Sequence, residues 1–161
     1  VIHSFSDSVE DVKLLLNLDG TYIGIHGCSL KTGDNLNVVR EIPIDRLMIE
    51  TDCPWCGIKK SHDSMKYVKT QFEQVGNKTN HSMNKLVKGR SEPCNIVQVL
   101  EVIAGVKDID IDELADIIYQ NTLSVFFPNN DDIKSNDIDS NDMDNNDVNE
   151  WKAWLIKQQQ L

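Results

Sequence analysis

Two carboxylates flank a threonine in Glu50-Thr51-Asp52, at the end of the apolar run Leu47-Met48-Ile49, and His3 stands near the end of another short run, Val1 to Phe5. Carboxylate oxygens and imidazole nitrogens are the ligands of hydrolytic metal sites, so these residues suit a divalent ion that activates water. Plainer uses are open to them as well. An Asp after a strand serves as a turn former or helix cap, and a His serves as a hydrogen-bonded core residue.

Cys53-Pro54-Trp55-Cys56 follows at once. A C-x-x-C pair can form a reactive dithiol or give two thiolates to zinc, or be two structural cysteines. For zinc, His62 with Cys94 or His81 would complete the ligand set, at no standard spacing. In the redox reading the aromatic residue is misplaced, because Trp55 lies between the thiols rather than before them. Arg90-Ser91-Glu92-Pro93 precedes a helical pattern. There a guanidinium and a carboxylate beside helix-end N–H groups suit either phosphate binding or simple helix capping.

These groups need elements to position them. Val1 to Phe5 reads as a strand already under way, with no initiator Met and no signal or transit pattern. Ser8 with Asp11 has the spacing of a helix start, and Val9, Val12, Leu15 and Leu16 supply one apolar face. Tyr22 to Ile25 reads as a second strand, Asn35 to Arg40 as a short helix and Leu47 to Thr51 as a third strand. Alternating strand and helix with nearly continuous apolar strands indicates parallel β-structure in an α/β protein, where functional groups collect at the C-terminal ends of strands. His3, His26, Glu50 and Asp52 all fall at or near such ends. Residues 57 to 90 read as a long irregular excursion, a form that in a compact domain points to function. Two amphipathic helices follow, one on Ile96, Val99, Leu100, Ile103 and Ala104, the other on Ile111, Leu114, Ala115, Ile118 and Val125 behind Asp110-x-x-Glu113.

The chain has 161 residues, 40% hydrophobic and 26% charged, with a formal net charge of -10. Such a composition excludes a wholly disordered or collagenous protein, and no apolar run is long enough for a membrane span. Charge is unevenly placed. Between 129 and 150, eight acids face Lys134 in a stretch of mostly Asn, Asp and Ser, so this segment is expected to be a disordered linker. Trp151, Trp154 and Leu155 then suggest a short amphipathic helix over 151–161. By contrast, residues 59 to 90 hold seven lysines and Arg90 against Asp63 and Glu73, a local anion-binding surface suited to a phosphate backbone. Four cysteines without a framework spacing fit a reducing compartment, so an intracellular setting, cytoplasmic or nuclear, is expected.

Taken together, Val1-Ile2-His3-Ser4-Phe5-Ser6, Tyr22-Ile23-Gly24-Ile25-His26-Gly27-Cys28-Ser29-Leu30, Leu47-Met48-Ile49-Glu50-Thr51-Asp52-Cys53-Pro54, Arg90-Ser91-Glu92-Pro93 and Tyr119-Gln120-Asn121-Thr122 stand in the order found in TatD-like deoxyribonucleases. The resemblance runs from residue 1 to about Phe127. It implies a metal-dependent hydrolase on a TIM barrel that cleaves phosphodiester bonds of DNA, on single strands or strand ends, with two divalent ions such as Mg²⁺, Mn²⁺ or Zn²⁺. By that resemblance His3 binds one metal after the sixth barrel strand. Asp52 binds the other after the eighth and contacts the attacking water, and Glu50 orients the site from behind. Arg90 and Glu92 match the family's R-N-E-P block, with Ser91 in place of its Asn, and stand behind the metals or bind phosphate. The family's His-x-His after the first strand, its bridging Glu and its later His have no counterpart in this sequence.

The fold expected is therefore the C-terminal part of a (β/α)8 barrel: about three parallel strands with helices over residues 1–128, then the acidic linker 129–150 and the terminal helix 151–161. A whole barrel takes about 250 residues. A part of one would expose an open sheet edge, self-associate and lack activity by itself. Two other readings remain: a non-catalytic binding module using the basic segment and acidic tail, and a zinc or redox protein using Cys53 and Cys56.

Overall fold

Ser8 starts the first helix as its spacing predicts. Its hydroxyl accepts from the Asp11 backbone N–H while the Asp11 carboxylate accepts from Ser8 N–H, closing a capping box on α1, Val9–Leu16. The computed structural model describes residues 1–76 and 85–128. A second capping box, Thr32 with Asn35, starts α2 at Gly33–Glu41, two residues before the expected start at Asn35. Asp110 caps the last helix, its carboxylate accepting from the Asp112 and Glu113 N–H groups at 2.9 and 3.2 Å. Helices α3, Ile96–Lys107, and α4, Ile111–Phe126, are the two amphipathic helices expected at the end of the body.

The strands are shorter than their apolar runs. β1 is Ile23–Ile25 and β2 is Leu47–Ile49, paired in parallel with Ile23 opposite Leu47 and Ile25 opposite Ile49. The expected first strand is reduced to one parallel bridge, Ile2 to Ile23, plus a bond from Phe5 N–H to Gly24 O at 3.0 Å. Ser4 breaks it, with φ at +57° in the left-handed region where a strand cannot continue. The third strand likewise stops at Ile49, because Asp52 turns the backbone with φ at +49°.

Ile23, Ile25 and Leu47 are at most 1% exposed and form the centre of the core. Val12 of α1, Leu36 and Val39 of α2, Val102 and Ile103 of α3 and Leu114 of α4 join the same cluster. Each fully buried aliphatic side chain of this size contributes roughly 1.5–3 kcal/mol. Asn121, in the Tyr-Gln-Asn-Thr block, is buried and donates through Nδ2 to the carbonyls of Ile44 and Leu47, both at 2.8 Å. It thereby pairs two carbonyls at the entry to β2 that apolar packing alone would leave unsatisfied.

The described residues of this excursion, 57–76 and 85–90, are less irregular than the composition suggests. A 3-10 helix covers Asp63–Tyr67, and β3, Gln74–Val75, pairs in parallel with β4, Leu86–Val87. The buried Glu101 of α3 anchors this region, accepting from Lys69 N–H at 2.8 Å, from Thr70 N–H at 3.0 Å and from the Thr70 hydroxyl at 2.6 Å. Gln98 Nε2 adds a bond to Thr70 O at 2.9 Å.

The chain divides into two units, Val1–Asn121 and Thr122–Leu161. In the second, helical residues run to Phe126, and Phe127 N–H bonds Leu123 O at 2.8 Å. The expected acidic linker 129–150 and terminal helix 151–161 lie outside the described residues. Among the described residues, no helix is long and apolar enough to cross a membrane.

Candidate metal centre

Two interruptions of regular structure, at Ser4 and Asp52, bring three sequence-distant side chains together. The left-handed turn at Ser4 follows His3, and the one at Asp52 follows Glu50, so the strand ends deliver His3, Glu50 and Asp52 to one place. One ligand atom from each lies within 4.8 Å of the others. Non-glycine residues held in the left-handed region cost about 1–3 kcal/mol and concentrate where geometry serves function.

Ser4 stitches the group. Its backbone N–H donates to Glu50 Oε2 at 3.1 Å, and its hydroxyl donates to Asp52 Oδ2 at 2.9 Å. His3 Nδ1 lies 3.2 Å from Glu50 Oε2 and 3.0 Å from Ser4 Oγ. Gly24 makes room beneath: a Cβ there would drive into the Glu50 carboxylate.

A second imidazole approaches Asp52 from the buried side. His26 Nδ1 accepts from the Cys28 and Ser29 N–H groups at 2.9 and 3.3 Å, so that nitrogen carries no proton. The proton is on Nε2, which stands 3.4 Å from Asp52 Oδ2. With Ser4 Oγ and His26 Nε2 both at Oδ2, the carboxylate is held from two sides, an arrangement typical of the groups that orient metal ligands. Asp52 Oδ1 receives no hydrogen bond among the described residues.

The residues singled out in the sequence therefore separate into two sets. His3, Glu50 and Asp52 converge. Arg90 and Glu92 are instead paired with each other, Nε to Oε1 at 3.0 Å, and join the Asp52 turn only through the backbone, where Ser91 N–H donates to Pro54 O at 2.9 Å. Ser4 and His26 went without a role in the sequence. His26 had a signal, its place at a strand end like that of His3. Ser4 had none, because its part depends on a backbone angle.

Among the described residues the cysteines do not group along the C-x-x-C spacing. Cys53 is exposed, and the group that could take a soft ion is His26, Cys28 and Cys56. Gly27 permits it by letting the Cys56 carbonyl lie where a Cβ would be, and Cys56 comes within hydrogen-bonding reach of Cys28. Burial, a hydrogen bond with Cys28 and the charges of Cys28 and Asp52 push the Cys56 thiol up to about 11, with Lys31 opposing. A thiol so poorly ionised is a weak nucleophile near neutral pH, against a dithiol redox role. His62 and Cys94 join no such group among the described residues, and His81 lies outside them.

The donor chemistry fits a hard divalent ion at the first group: one imidazole and two carboxylates, with His3 68% and Asp52 31% exposed and open to a ligand.

Comparison with known proteins places the chain among relatives. The family model for TatD-related DNases matches residues 1–127. A Schizosaccharomyces pombe protein named deoxyribonuclease Tat-D is 39% identical over 127 residues, covering 78% of this chain and 40% of that one. An Erwinia amylovora protein named 3'-5' ssDNA/RNA exonuclease TatD is 27% identical over 129 residues, covering 78% of this chain and 41% of that one. The crystal structure of a TatD-family hydrolase from Entamoeba histolytica superposes with a TM-score of 0.74 at 39% identity, covering 78% of this chain and 41% of that one. The chain thus spans about two fifths of the length of these relatives. On the match of its first 127 residues, the chain belongs to the TatD-related DNase family.

Proposed function

We propose that this chain supplies the C-terminal part of a (β/α)8-barrel, metal-dependent nuclease that hydrolyses phosphodiester bonds of DNA, single-stranded DNA in particular. The observation that carries the reading is the convergence of His3, Glu50 and Asp52 at parallel strand ends, stitched by Ser4 and backed by His26. The exonuclease name of the Erwinia relative supports single strands as substrate. Parallel strands with helices over residues 1–121 fit a barrel segment, and residues 1–128 act as its unit in this reading.

In this reading His3 and Asp52 would each help hold one of two divalent ions, Mg²⁺, Mn²⁺ or Zn²⁺. Such ions polarise phosphate, lower the pKa of water and stabilise the leaving oxygen. Asp52 keeps Oδ2 on Ser4 and His26, which leaves Oδ1 to bind. Glu50 fixes His3 through Nδ1 and so leaves the other ring nitrogen, Nε2, for an ion. His26, buried and with a fixed tautomer, holds Asp52 in place as the ligand set loads. One His and two carboxylates complete neither of two centres, since catalytic sites use about three or more protein ligands each. The chain alone is therefore inactive, and its ligands act with those of a segment corresponding to the rest of the relatives' length.

The test is a transplant. Residues 1–127 replace the matching segment of the Schizosaccharomyces pombe relative, whose cleavage of DNA with Mg²⁺ or Mn²⁺ is the reference. The chimera is expected to cleave, and Asp52→Asn to lower turnover by about 10³ or more with an unchanged circular dichroism spectrum. Near-normal cleavage by the variant at limiting Mg²⁺ removes Asp52 from the site.

A further inference from the structure

Behind the strand-end carboxylates stands a second group of donors. His26, Cys28 and Cys56 each place one ligand atom within 4.8 Å of the other two. The two cysteines come from separate segments, joined where residues 56–58 pack on Gly27: a Cβ there would strike the Cys56 carbonyl and come within 3.1 Å of the Ile58 nitrogen. Both thiols are free, and they are hydrogen-bonded to each other. Two thiols and an imidazole select ions of the zinc class over Mg²⁺ or Ca²⁺. Zinc holds sulfur at about 2.3 Å and nitrogen at about 2.0–2.1 Å in a tetrahedron, which sets its donors about 3.5–3.8 Å apart. The three donors need to close up by about 1 Å at most to reach that spacing.

His26 has the orientation of a metal-binding histidine. Its Nε2–H stands 3.4 Å from Asp52 Oδ2, and histidines that bind metal through one ring nitrogen donate the other N–H to a carboxylate or carbonyl. The nitrogen that keeps a lone pair, Nδ1, lies beside Cys28, whose N–H it accepts at 2.9 Å.

We infer that Cys28, Cys56 and His26 Nδ1 form a second metal site, for a thiophilic divalent ion of the zinc class, coupled to the strand-end centre through the contact of His26 with Asp52. Binding exchanges protons for the ion: each thiol releases its proton to solvent, and two thiolate charges balance the 2+ charge with no change of oxidation state. The ion takes the place of the Cys28 and Ser29 N–H groups at Nδ1, while Nε2–H stays on Asp52. Water fills the fourth tetrahedral position. Burial above all keeps Cys56 protonated up to about 11, so the exchange favours ions that bind thiolate strongly, zinc and cadmium rather than Mn²⁺. All three donors and the glycine that joins them belong to this chain, so the site rests on internal contacts and not on a free surface. Only the coupling rests on the proposed function, in which Asp52 is itself a ligand.

The test reads the metal directly. The full chain, stripped with EDTA and kept reduced with a phosphine, is titrated with Co²⁺, whose thiolate charge-transfer band in the near ultraviolet counts sulfur ligands. One equivalent is expected to give the band of two thiolates, zinc to abolish it by displacement and excess Mg²⁺ to leave it unchanged. Cys28→Ser and Cys56→Ser should each lose half of the band or more, and Cys53→Ser and Cys94→Ser none of it. No band in the parent overturns the site, as does a band that survives in Cys28→Ser and falls in Cys53→Ser. Asp52→Asn, which removes the charge behind His26, is expected to weaken zinc binding, read by displacement of cobalt, about tenfold. Unchanged zinc affinity in that variant overturns the coupling. Should a Ser variant lose its circular dichroism spectrum, zinc protection of Cys28 and Cys56 in the parent against prolonged maleimide treatment decides instead, with exposed Cys53 as the unprotected reference. Equal modification with and without zinc overturns the site. No cleavage enters these measurements, so a chimera that fails to cut DNA leaves the thiolate site standing, and a missing band leaves the proposed hydrolysis standing.

Discussion

The metal-centre region and the excursion from Cys53 to Glu92 are both built from short, irregular segments, yet they are held in opposite ways. Around His3, Glu50 and Asp52 the functional side chains hold one another, through Ser4 and the buried His26. In the described part of the excursion, one buried carboxylate makes several of the ties: Glu101 gathers the amides of Lys69 and Thr70 and the Thr70 hydroxyl onto α3. Gly105 adds a flat seat on the same helix, since a Cβ there would strike the Tyr67 ring. The first region spends its polar groups on geometry at the surface. The second is attached through Glu101, while Lys85 and Arg90 pair with the nearby Glu73 and Glu92. Precision at a site and tethering of a loop are thus separate tasks, and each leaves its own pattern of sensitivity to mutation.

The largest effect expected from this contrast is on the tether. Glu101→Ala leaves two amides and a hydroxyl without their acceptor and should cost about 3 kcal/mol in urea unfolding. Glu101→Gln, which keeps one acceptor oxygen, should cost about half of that. An Ala variant within about 0.5 kcal/mol of the parent would show that the excursion is not held by this residue.

Glycines sharpen the comparison further. Gly24→Ala must displace the Glu50 carboxylate, whereas a Cβ at Gly57 would meet Ser91 Cβ at 3.6 Å, an ordinary contact. The first should lose about 2 kcal/mol by overpacking, the second less than about 0.5 kcal/mol. Equal losses in parallel denaturation curves would break the distinction between a tight site and a tolerant loop.

The smallest expected effect is a difference in thiol reactivity at the start of the excursion. Cys53 is exposed, while burial and the neighbouring Cys28 push Cys56 up to about 11. Only the thiolate alkylates, so the Cys56 rate should climb about tenfold per pH unit from pH 8 toward 11, as the ionised fraction grows with rising pH. Peptide mass spectrometry after iodoacetamide at pH 8 should find Cys53 modified well before Cys56. Modification of Cys56 at the same rate would mean that the turn after Asp52 is open rather than packed on Gly27.

How much of this could be read from the chain varies with the range of the interactions involved. Helix starts were legible because a capping box is closed within four residues, as at Ser8 and Asp11. Parallel α/β organisation was legible too, since buried strands need continuous apolar runs wherever the partners lie. Strand length was not. The runs Val1 to Phe5 and Leu47 to Thr51 look uniform, and only left-handed backbone at Ser4 and Asp52 cuts them short. Glu101, on an otherwise apolar helix face, reads as a misfit until the amides it serves are seen 31 and 32 residues away.

The sequence by itself determined which residues bring chemistry to this protein: His3, Glu50 and Asp52 carry imidazole and carboxylate whatever their surroundings, and their order with the neighbouring blocks marks the family. Tertiary structure decided which of them meet. It put Ser4 and His26 on Asp52, brought Cys56 to Cys28 and turned Arg90 onto Glu92. The reason is physical. A residue's type fixes its ionisation and donors, but which partner lies within hydrogen-bonding reach depends on strand pairing and on single backbone angles, which no local spacing encodes.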